Sequence, residues 1–90
     1  MNPQKEKTVI ALKKAQSLIA KIQKIIEQDA YCIDVMQQNL AAMGLLKGAH
    51  KQLMEGHLKT CFSHAMETGN NEKKQAMIDE ILDVSRLVNK

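Results

Sequence analysis

Aromatic residues and proline are almost absent from this 90-residue chain, which has no tryptophan, one tyrosine, one phenylalanine and one proline. β-Sheets favour aromatic and β-branched residues, so this composition favours helices that pack through aliphatic and methionine side chains. No apolar run approaches the roughly 18 residues of a membrane-spanning helix, and no secretory signal is recognisable. We therefore expect a cytoplasmic, all-α protein that makes no membrane contact and forms a single domain over residues 1–90.

Arginine is also nearly absent, since Arg86 is the only one, although lysines give the chain a formal net charge of +3. This weak positive charge is compatible with polyanion binding but is too small to demonstrate it. Cysteine is limited to Cys32 and Cys61, which in a reducing cytoplasm are expected to be free thiols or metal ligands. There is no phosphate-binding loop and no pair of carboxylates in an apolar setting, so we do not expect an enzyme.

The longest pattern in the sequence extends from Asp29 to Met66 without a proline. An apolar residue recurs every three or four positions, which predicts a helix of roughly 55 Å at 1.5 Å per residue. A compact chain of this size has a radius of gyration of only about 12 Å, so nothing in the same molecule could cover such a helix, and we expect an oligomer. Gly44 and Gly48 would let two such helices approach closely. The apolar positions are Ala30, Ile33, Met36, Leu40, Met43, Leu46, Ala49, Leu53, Leu58, Phe62 and Ala65.

Two shorter helices are predicted on either side of this stretch. Thr8 is the expected N-cap of the first helix, with residues 1–7 disordered, although Pro3 is also compatible with an earlier start. Asp29 is the expected N-cap of the long helix, so the first two helices would form an antiparallel hairpin. Gly69 would end the long helix, and an asparagine would cap a third helix over about 72–88. The predicted apolar face of the first helix is Val9, Leu12, Ala15, Ile19, Ile22 and Ile26, widened by Ile10, Leu18 and Ile25.

The predicted protomer thus has three helices with a long central one, and it pairs into dimers or higher assemblies. One arrangement of two protomers brings three potential metal ligands together. His57 and Cys61 are four positions apart, so one helical turn can present both to the same ion. Cys32 lies roughly 37 Å from His57 along a single helix, so one chain cannot join them. Two copies packed antiparallel and crossing near residue 45 would place Cys32 of one copy beside His57 and Cys61 of the other, giving two sites per dimer.

The ligand types favour a soft metal ion. Two thiolates and one imidazole suit Cu(I), which accepts low coordination numbers. Zn(II) is also possible, but it normally requires a fourth ligand, for which His64 is a candidate. Two alternatives remain open on spacing alone: the cysteines and the histidine could be ordinary packing residues, or the two thiols could form an intersubunit disulfide on oxidation.

Two segments around these residues closely resemble the copper-sensitive operon repressors, or CsoR family, of bacterial metal sensors. They are Ala30–Met36 and His57–Ser63. The resemblance implies all-helical dimers that pair into tetramers, bind operator DNA without a helix-turn-helix, and release it when Cu(I) binds across the dimer interface. It implies Cys32, His57 and Cys61 as ligands, with Tyr31 and Glu80 placed to hydrogen-bond His57. Cys61 stands where the nickel-sensing branch has a histidine, which favours Cu(I).

The expected DNA contacts differ from the pattern of this family. The family uses arginines and lysines at positions that correspond to Ala11, Gln16 and Gly48 of this chain. Three hypotheses follow: a Cu(I)-responsive repressor of operator DNA, a copper-binding or buffering protein with altered or lost DNA binding, and a thiol sensor of oxidants or electrophiles. The remaining DNA-binding candidates, which could neutralise phosphates but could equally form a solvated face, are Lys13, Lys14, Lys21, Lys24, Lys47 and Lys51.

Overall fold

The structure is a computed structural model that describes residues 2–88. Nearly all of these residues are helical. No strand occurs among these residues, which confirms the all-α prediction. The long central stretch is also confirmed, because the backbone remains helical from Cys32 to Glu67. The elements are α1 (Pro3–Glu27), α2 (Cys32–His57), a π-helical turn (Leu58–Phe62), α3 (Ser63–Glu67) and α4 (Asn71–Val88).

The chain divides into two compact units, Met1–Glu55 and Gly56–Lys90. The first contains α1 and most of α2, and the second contains the π turn, α3 and α4. Among the described residues, no helix is long and apolar enough to cross a membrane.

The first helix begins earlier than its predicted cap. The Asn2 side chain accepts a hydrogen bond from the Lys5 backbone N–H at 2.8 Å, and Pro3 follows at the first helical position, where its missing N–H costs nothing. The N-cap prediction at Thr8 is therefore wrong. Thr8 is buried inside α1, where its hydroxyl donates to the Gln4 carbonyl at 2.7 Å. This hydrogen bond within α1 satisfies the Thr8 hydroxyl, which therefore does not cap the helix.

The connection between α1 and α2 is a tight turn of four residues. Asp29 adopts a left-handed backbone conformation with φ of 57°, while the Ala30 N–H donates to the Ile25 carbonyl and the Asp29 N–H to the Ile26 carbonyl, both at 3.0 Å. These two bonds form a Schellman motif that ends α1. The prediction of Asp29 as the N-cap of α2 is thus wrong, because this residue terminates the preceding helix. Helix α2 begins only at Cys32.

The core of the hairpin is a seam with a seven-residue repeat, in which small and aliphatic side chains predominate and α2 adds two glutamines. Ala15, Ala42 and Ala49 are at most 5% exposed, and such small residues let α1 and α2 lie close together. The repeat is the pattern of antiparallel coiled-coil packing. The seam residues, all buried or half-buried, are Thr8, Ala11, Ala15, Leu18, Ile22 and Ile25 of α1, and Val35, Gln38, Ala42, Leu45, Ala49 and Gln52 of α2.

A second apolar stripe on each helix remains exposed. Several large side chains of the apolar face predicted for α1 are not in the seam. Each of them lies one residue after a seam position, and they are 36–55% exposed. Helix α2 has a matching exposed stripe. On each helix the exposed stripe lies one residue C-terminal to the seam positions. Because α1 and α2 run antiparallel, this displacement places both stripes on the same side of the hairpin. We call this side the apolar face; it consists of Val9, Leu12, Ile19 and Ile26 of α1 and Met36, Met43, Leu46 and Leu53 of α2.

The second unit contains the predicted break before the last helix. Gly69 has a positive φ of 73°, and the Asn70 side chain accepts from the Lys73 N–H at 3.1 Å, which confirms an asparagine cap for α4. Helix α4 contacts α3, whose Ala65 is 1% exposed. Helix α4 is only partly covered: Met77 and Ile81 are half-buried, whereas Leu82, Val84 and Val88 are exposed.

Candidate metal centre and basic groove

The Cys32 thiol is free and exposed at the first residue of α2. The Schellman turn and the start of α2 together leave a pocket of about 470 Å³ in which this cysteine lies. The pocket is largely apolar, with Asp29 as its one charged residue. Its other lining residues are Ile26, Ala30, Val35 and Met36.

His57 and Cys61 lie on either side of the start of the π-helical turn. His57 is half-buried at the end of α2, and Cys61 is a free, exposed thiol inside the turn. The Ser63 hydroxyl donates to the Leu58 carbonyl, five residues back, at 2.8 Å. A π-helical turn inserts one extra residue into a helix, and such turns are rare and frequent at functional sites. The turn therefore changes the direction in which Cys61 projects relative to a regular α-helix.

A threonine hydroxyl lies beside the Cys61 sulfur. The Thr60 hydroxyl donates to the Gly56 carbonyl at 2.7 Å, and its oxygen is 3.7 Å from Cys61 Sγ. Since its hydrogen is already engaged, the hydroxyl is available to the sulfur mainly as an acceptor from a neutral thiol. Sequence reasoning missed Thr60, although its position directly before a predicted ligand could have indicated a contact.

No three histidine, cysteine, aspartate or glutamate side chains are arranged to hold a metal ion among residues 2–88. The assignment of Cys32, His57 and Cys61 as a shared set of ligands stays a prediction that involves a second copy of the chain. Tyr31 is 70% exposed, and Glu80 and His64 are exposed as well. Within the described part of the second unit, Glu80 makes no hydrogen bond to His57, so the roles predicted for these three residues also stay predictions.

Lysine side chains line an open groove between α1 and α2 on the side opposite to the apolar face. The groove has a volume of about 510 Å³ and is lined by Lys13, Lys14, Ser17, Leu18, Lys21 and Leu45. Lys14, Ser17 and Lys21 follow one another at helical spacings of three and four, so they form one stripe. Ser17 was missed by sequence reasoning, and this spacing is the signal that could have found it. The other candidate lysines, Lys24, Lys47 and Lys51, are exposed outside the groove.

The two glycines in the middle of α2 have open space around them. A Cβ atom built on Gly44 or Gly48 would meet nothing within 4 Å. Helical geometry turns both residues away from the apolar face. Their predicted role in a close helix crossing is therefore not supported by their position on α2.

Residues 4–86 match the sequence model of a family described as a metal-sensitive transcriptional repressor. The chain belongs to this family. The resemblance to copper-sensitive operon repressors is thereby confirmed, and so is the expectation that the chain is not an enzyme, because metal-sensitive transcriptional repressors are regulators.

Curated relatives of this chain have names that refer to copper. The chain is 42% identical over 72 residues to the copper-sensing transcriptional repressor CsoR of Mycobacterium ulcerans, covering 80% of this chain and 59% of the relative. It is 31% identical over 81 residues to CsoR of Bacillus subtilis, covering 90% and 77%. It is 28% identical over 85 residues to the copper-sensing transcriptional repressor RicR of Mycobacterium tuberculosis, covering 94% and 88%. The match thus spans less than two thirds of the mycobacterial CsoR protein.

Proposed function

We propose that this chain is a Cu(I)-sensing repressor that binds operator DNA when metal-free and releases it when Cu(I) binds. The observation that carries the proposal is the family match over residues 4–86, together with relatives that are named copper-sensing repressors. The chemistry of the candidate ligand side chains supports the copper half of the proposal, and the basic groove supports the DNA half.

The ligand set that we propose for Cu(I) is Cys32 of one subunit with His57 and Cys61 of its partner. Both thiols are free and exposed, and two thiolates with one imidazole fit the low coordination number and softness of Cu(I). Bound Cu(I) would supply bonds that link the two subunits. The Glu80 carboxylate or the Tyr31 hydroxyl would then accept a hydrogen bond from the second ring N–H of His57, as is usual for a metal-bound imidazole.

The basic groove is the surface that we propose for the DNA backbone. Lys13, Lys14 and Lys21 line it, and the Ser17 hydroxyl adds a donor for a phosphate oxygen. Lysine neutralises phosphate as a point charge, whereas arginine is suited to bidentate contacts. With Ala11, Gln16 and Gly48 at the family's contact positions, we expect affinity to depend strongly on salt and less on base contacts.

DNA binding with and without Cu(I) tests the proposal. Genomic fragments captured by the metal-free protein would be sequenced, and the most enriched duplex would be titrated in the presence and absence of Cu(I). We expect Cu(I) to weaken DNA binding by about fivefold to 150-fold, the usual range of allosteric coupling, and DNA to weaken Cu(I) binding by the same factor. Absence of DNA binding in both states would contradict repression and favour the copper-buffering alternative.

Two sets of variants sharpen this experiment. His57→Ala should abolish the response to Cu(I); a response to oxidant that survives this substitution would favour the thiol sensor instead. Lys14→Gln/Lys21→Gln should reduce the slope of log affinity against log salt by about 2, because each lost phosphate contact removes about 0.9. The matched control is Lys73→Gln/Lys74→Gln in the second unit, which should leave the slope unchanged.

A further inference from the structure

A methionine thioether shares the pocket at the start of α2 with the Cys32 thiol. Cys32 and Met36 both line this pocket of about 470 Å³, and both side chains are exposed. They are four positions apart on α2, so one helical turn presents them on the same side with Cβ atoms about 5–6 Å apart. Neither sulfur takes part in a hydrogen bond within residues 2–88, so the lone pairs of both are available to a ligand.

The two sulfurs select one class of ligand. A thiolate and a thioether are soft donors that suit Cu(I), whereas carboxylate oxygens suit hard ions such as Mg²⁺ and Ca²⁺. Cu(I) accepts low coordination numbers, so two sulfurs are sufficient for it, whereas Zn(II) normally requires four ligands. The Met36 side chain has three rotatable bonds, which let its sulfur adjust to an ion held by Cys32.

The charge and polarity of the pocket fit such a pair. A Cys32 thiolate, Cu(I) and a neutral thioether together have no net charge, so they lose little hydration free energy in a largely apolar pocket. The apolar walls include Ile26 and Val35. The carboxylate of Asp29, also in the pocket lining, attracts a cation but is too hard a ligand to compete with the two sulfurs for a soft one.

We propose that Cys32 and Met36 of a single chain form a two-coordinate capture site for Cu(I), distinct from the ligand set shared between subunits. Cys32 belongs to both sites, so the Met36 thioether can leave as the partner's His57 and the partner's Cys61 bind, and the ion is never released. Each cysteine gives up its thiol proton to water when it binds the metal, and copper stays Cu(I) throughout. Only this second step rests on the proposed function, because capture needs a single chain.

The capture pair differs from the shared set in what it requires. The shared set needs two subunits in place, whereas Cys32 and Met36 are preorganised on one helix. Two ligands hold Cu(I) less tightly than three, so the pair fills when Cu(I) is added directly but gives the ion up to the shared set or to a strong competing chelator. Because capture alone does not link two subunits, it leaves DNA binding unchanged.

A variant without the shared set isolates the capture site. In His57→Ala/Cys61→Ala with ¹³C-labelled methionine methyl groups, an equimolar amount of Cu(I) added without oxygen should shift the methyl resonance of Met36. The methyl resonance of Met43, which lies on the same stripe but about 10 Å away along α2, should not shift. Adding the substitution Cys32→Ser should remove the response.

Replacing the thioether measures its contribution to affinity. Losing a group that only supports a metal ligand usually costs roughly 10- to 100-fold in affinity, so Met36→Leu in the same variant should weaken Cu(I) binding by at least about tenfold. Direct titration with imidazole as a weak competitor measures this loss. Met43→Leu makes the same change at another exposed methionine and should leave the affinity unchanged. Leucine keeps the apolar character and approximate volume of methionine, so both variants should fold.

Three results would each overturn the proposal: an unshifted Met36 methyl resonance, equal Cu(I) affinities of the Met36→Leu and Met43→Leu proteins, or one Cu(I) held by Cys32 of two chains in sedimentation. The experiment uses no DNA and a protein that lacks two of the three shared ligands. A failure of copper-responsive repression therefore leaves its outcome unaffected, and a failure of capture leaves the test of repression unaffected.

Discussion

At the scale of single residues, one buried oxygen in the hairpin has no hydrogen-bond partner. Oε1 of Gln52, a seam residue of α2, is buried and unpaired, and such an acceptor costs roughly 1–3 kcal/mol. Gln52→Met keeps the length of the side chain and removes the acceptor. We expect this substitution to raise the free energy of unfolding by about 1 kcal/mol in urea titrations.

Gln37→Met on the exposed side of α2 is the control, for which we expect little change. A Gln52→Met protein less stable than the wild type would mean that the amide contributes a favourable contact.

Asp29 is the residue whose backbone conformation sets the end of α1. Its φ of 57° is unfavourable for a β-branched side chain but tolerable for aspartate and free of cost for glycine. We expect Asp29→Val to lower the free energy of unfolding by about 1 kcal/mol or more, and Asp29→Gly to have a much smaller effect. Urea titrations of the two variants at one protein concentration measure the difference; equal losses would contradict the role of the backbone conformation.

At the scale of the helices, hydropathy predicted the elements but not the way in which they pack. The periodicity of large apolar residues predicted a stripe on α1 that includes Val9, Leu12 and Ile19, yet these side chains are exposed. The seam between α1 and α2 instead contains alanines, because a close approach of two helices selects small side chains. Each helix therefore carries two apolar stripes, and the period alone could not decide which one faces the neighbouring helix.

The π-helical turn could not be predicted either, because one extra residue changes the apolar period of a long helix only slightly. The turn is held in part by the Ser63 hydroxyl, which donates to the Leu58 carbonyl. We expect Ser63→Ala to speed amide hydrogen exchange in residues 58–62 by about fivefold, as the loss of roughly 1 kcal/mol implies. Ser85→Ala in α4 is the matched control, and equal exchange in both variants would assign the turn to other contacts.

At the scale of the whole molecule, the length of the central helix predicts association with a second copy and says little about the fold of one chain. A helix too long to be covered by its own chain implied a second copy, and the hairpin does leave Met36, Met43, Leu46 and Leu53 exposed on α2. Sequence spacing grouped Cys32, His57 and Cys61 as candidate ligands, and their assignment as a shared set stays a prediction. The basic groove, by contrast, required knowledge of which side of α1 faces α2, and that depended on the alanine seam.

Mixing two defective variants tests whether the ligands come from different subunits. Cys32→Ala and His57→Ala/Cys61→Ala should each bind almost no Cu(I), because every site in each homodimer lacks a ligand. After unfolding and joint refolding, half of the dimers are heterodimers, and each of these has one intact site formed by Cys32 of one subunit and His57 with Cys61 of the other. We therefore expect Cu(I) binding to recover to about one quarter of the wild-type stoichiometry, measured by competition with a Cu(I) chelator.

Recovery should be absent when either variant is refolded alone. A mixture that binds no Cu(I), although sedimentation shows that dimers have formed, would contradict a shared site.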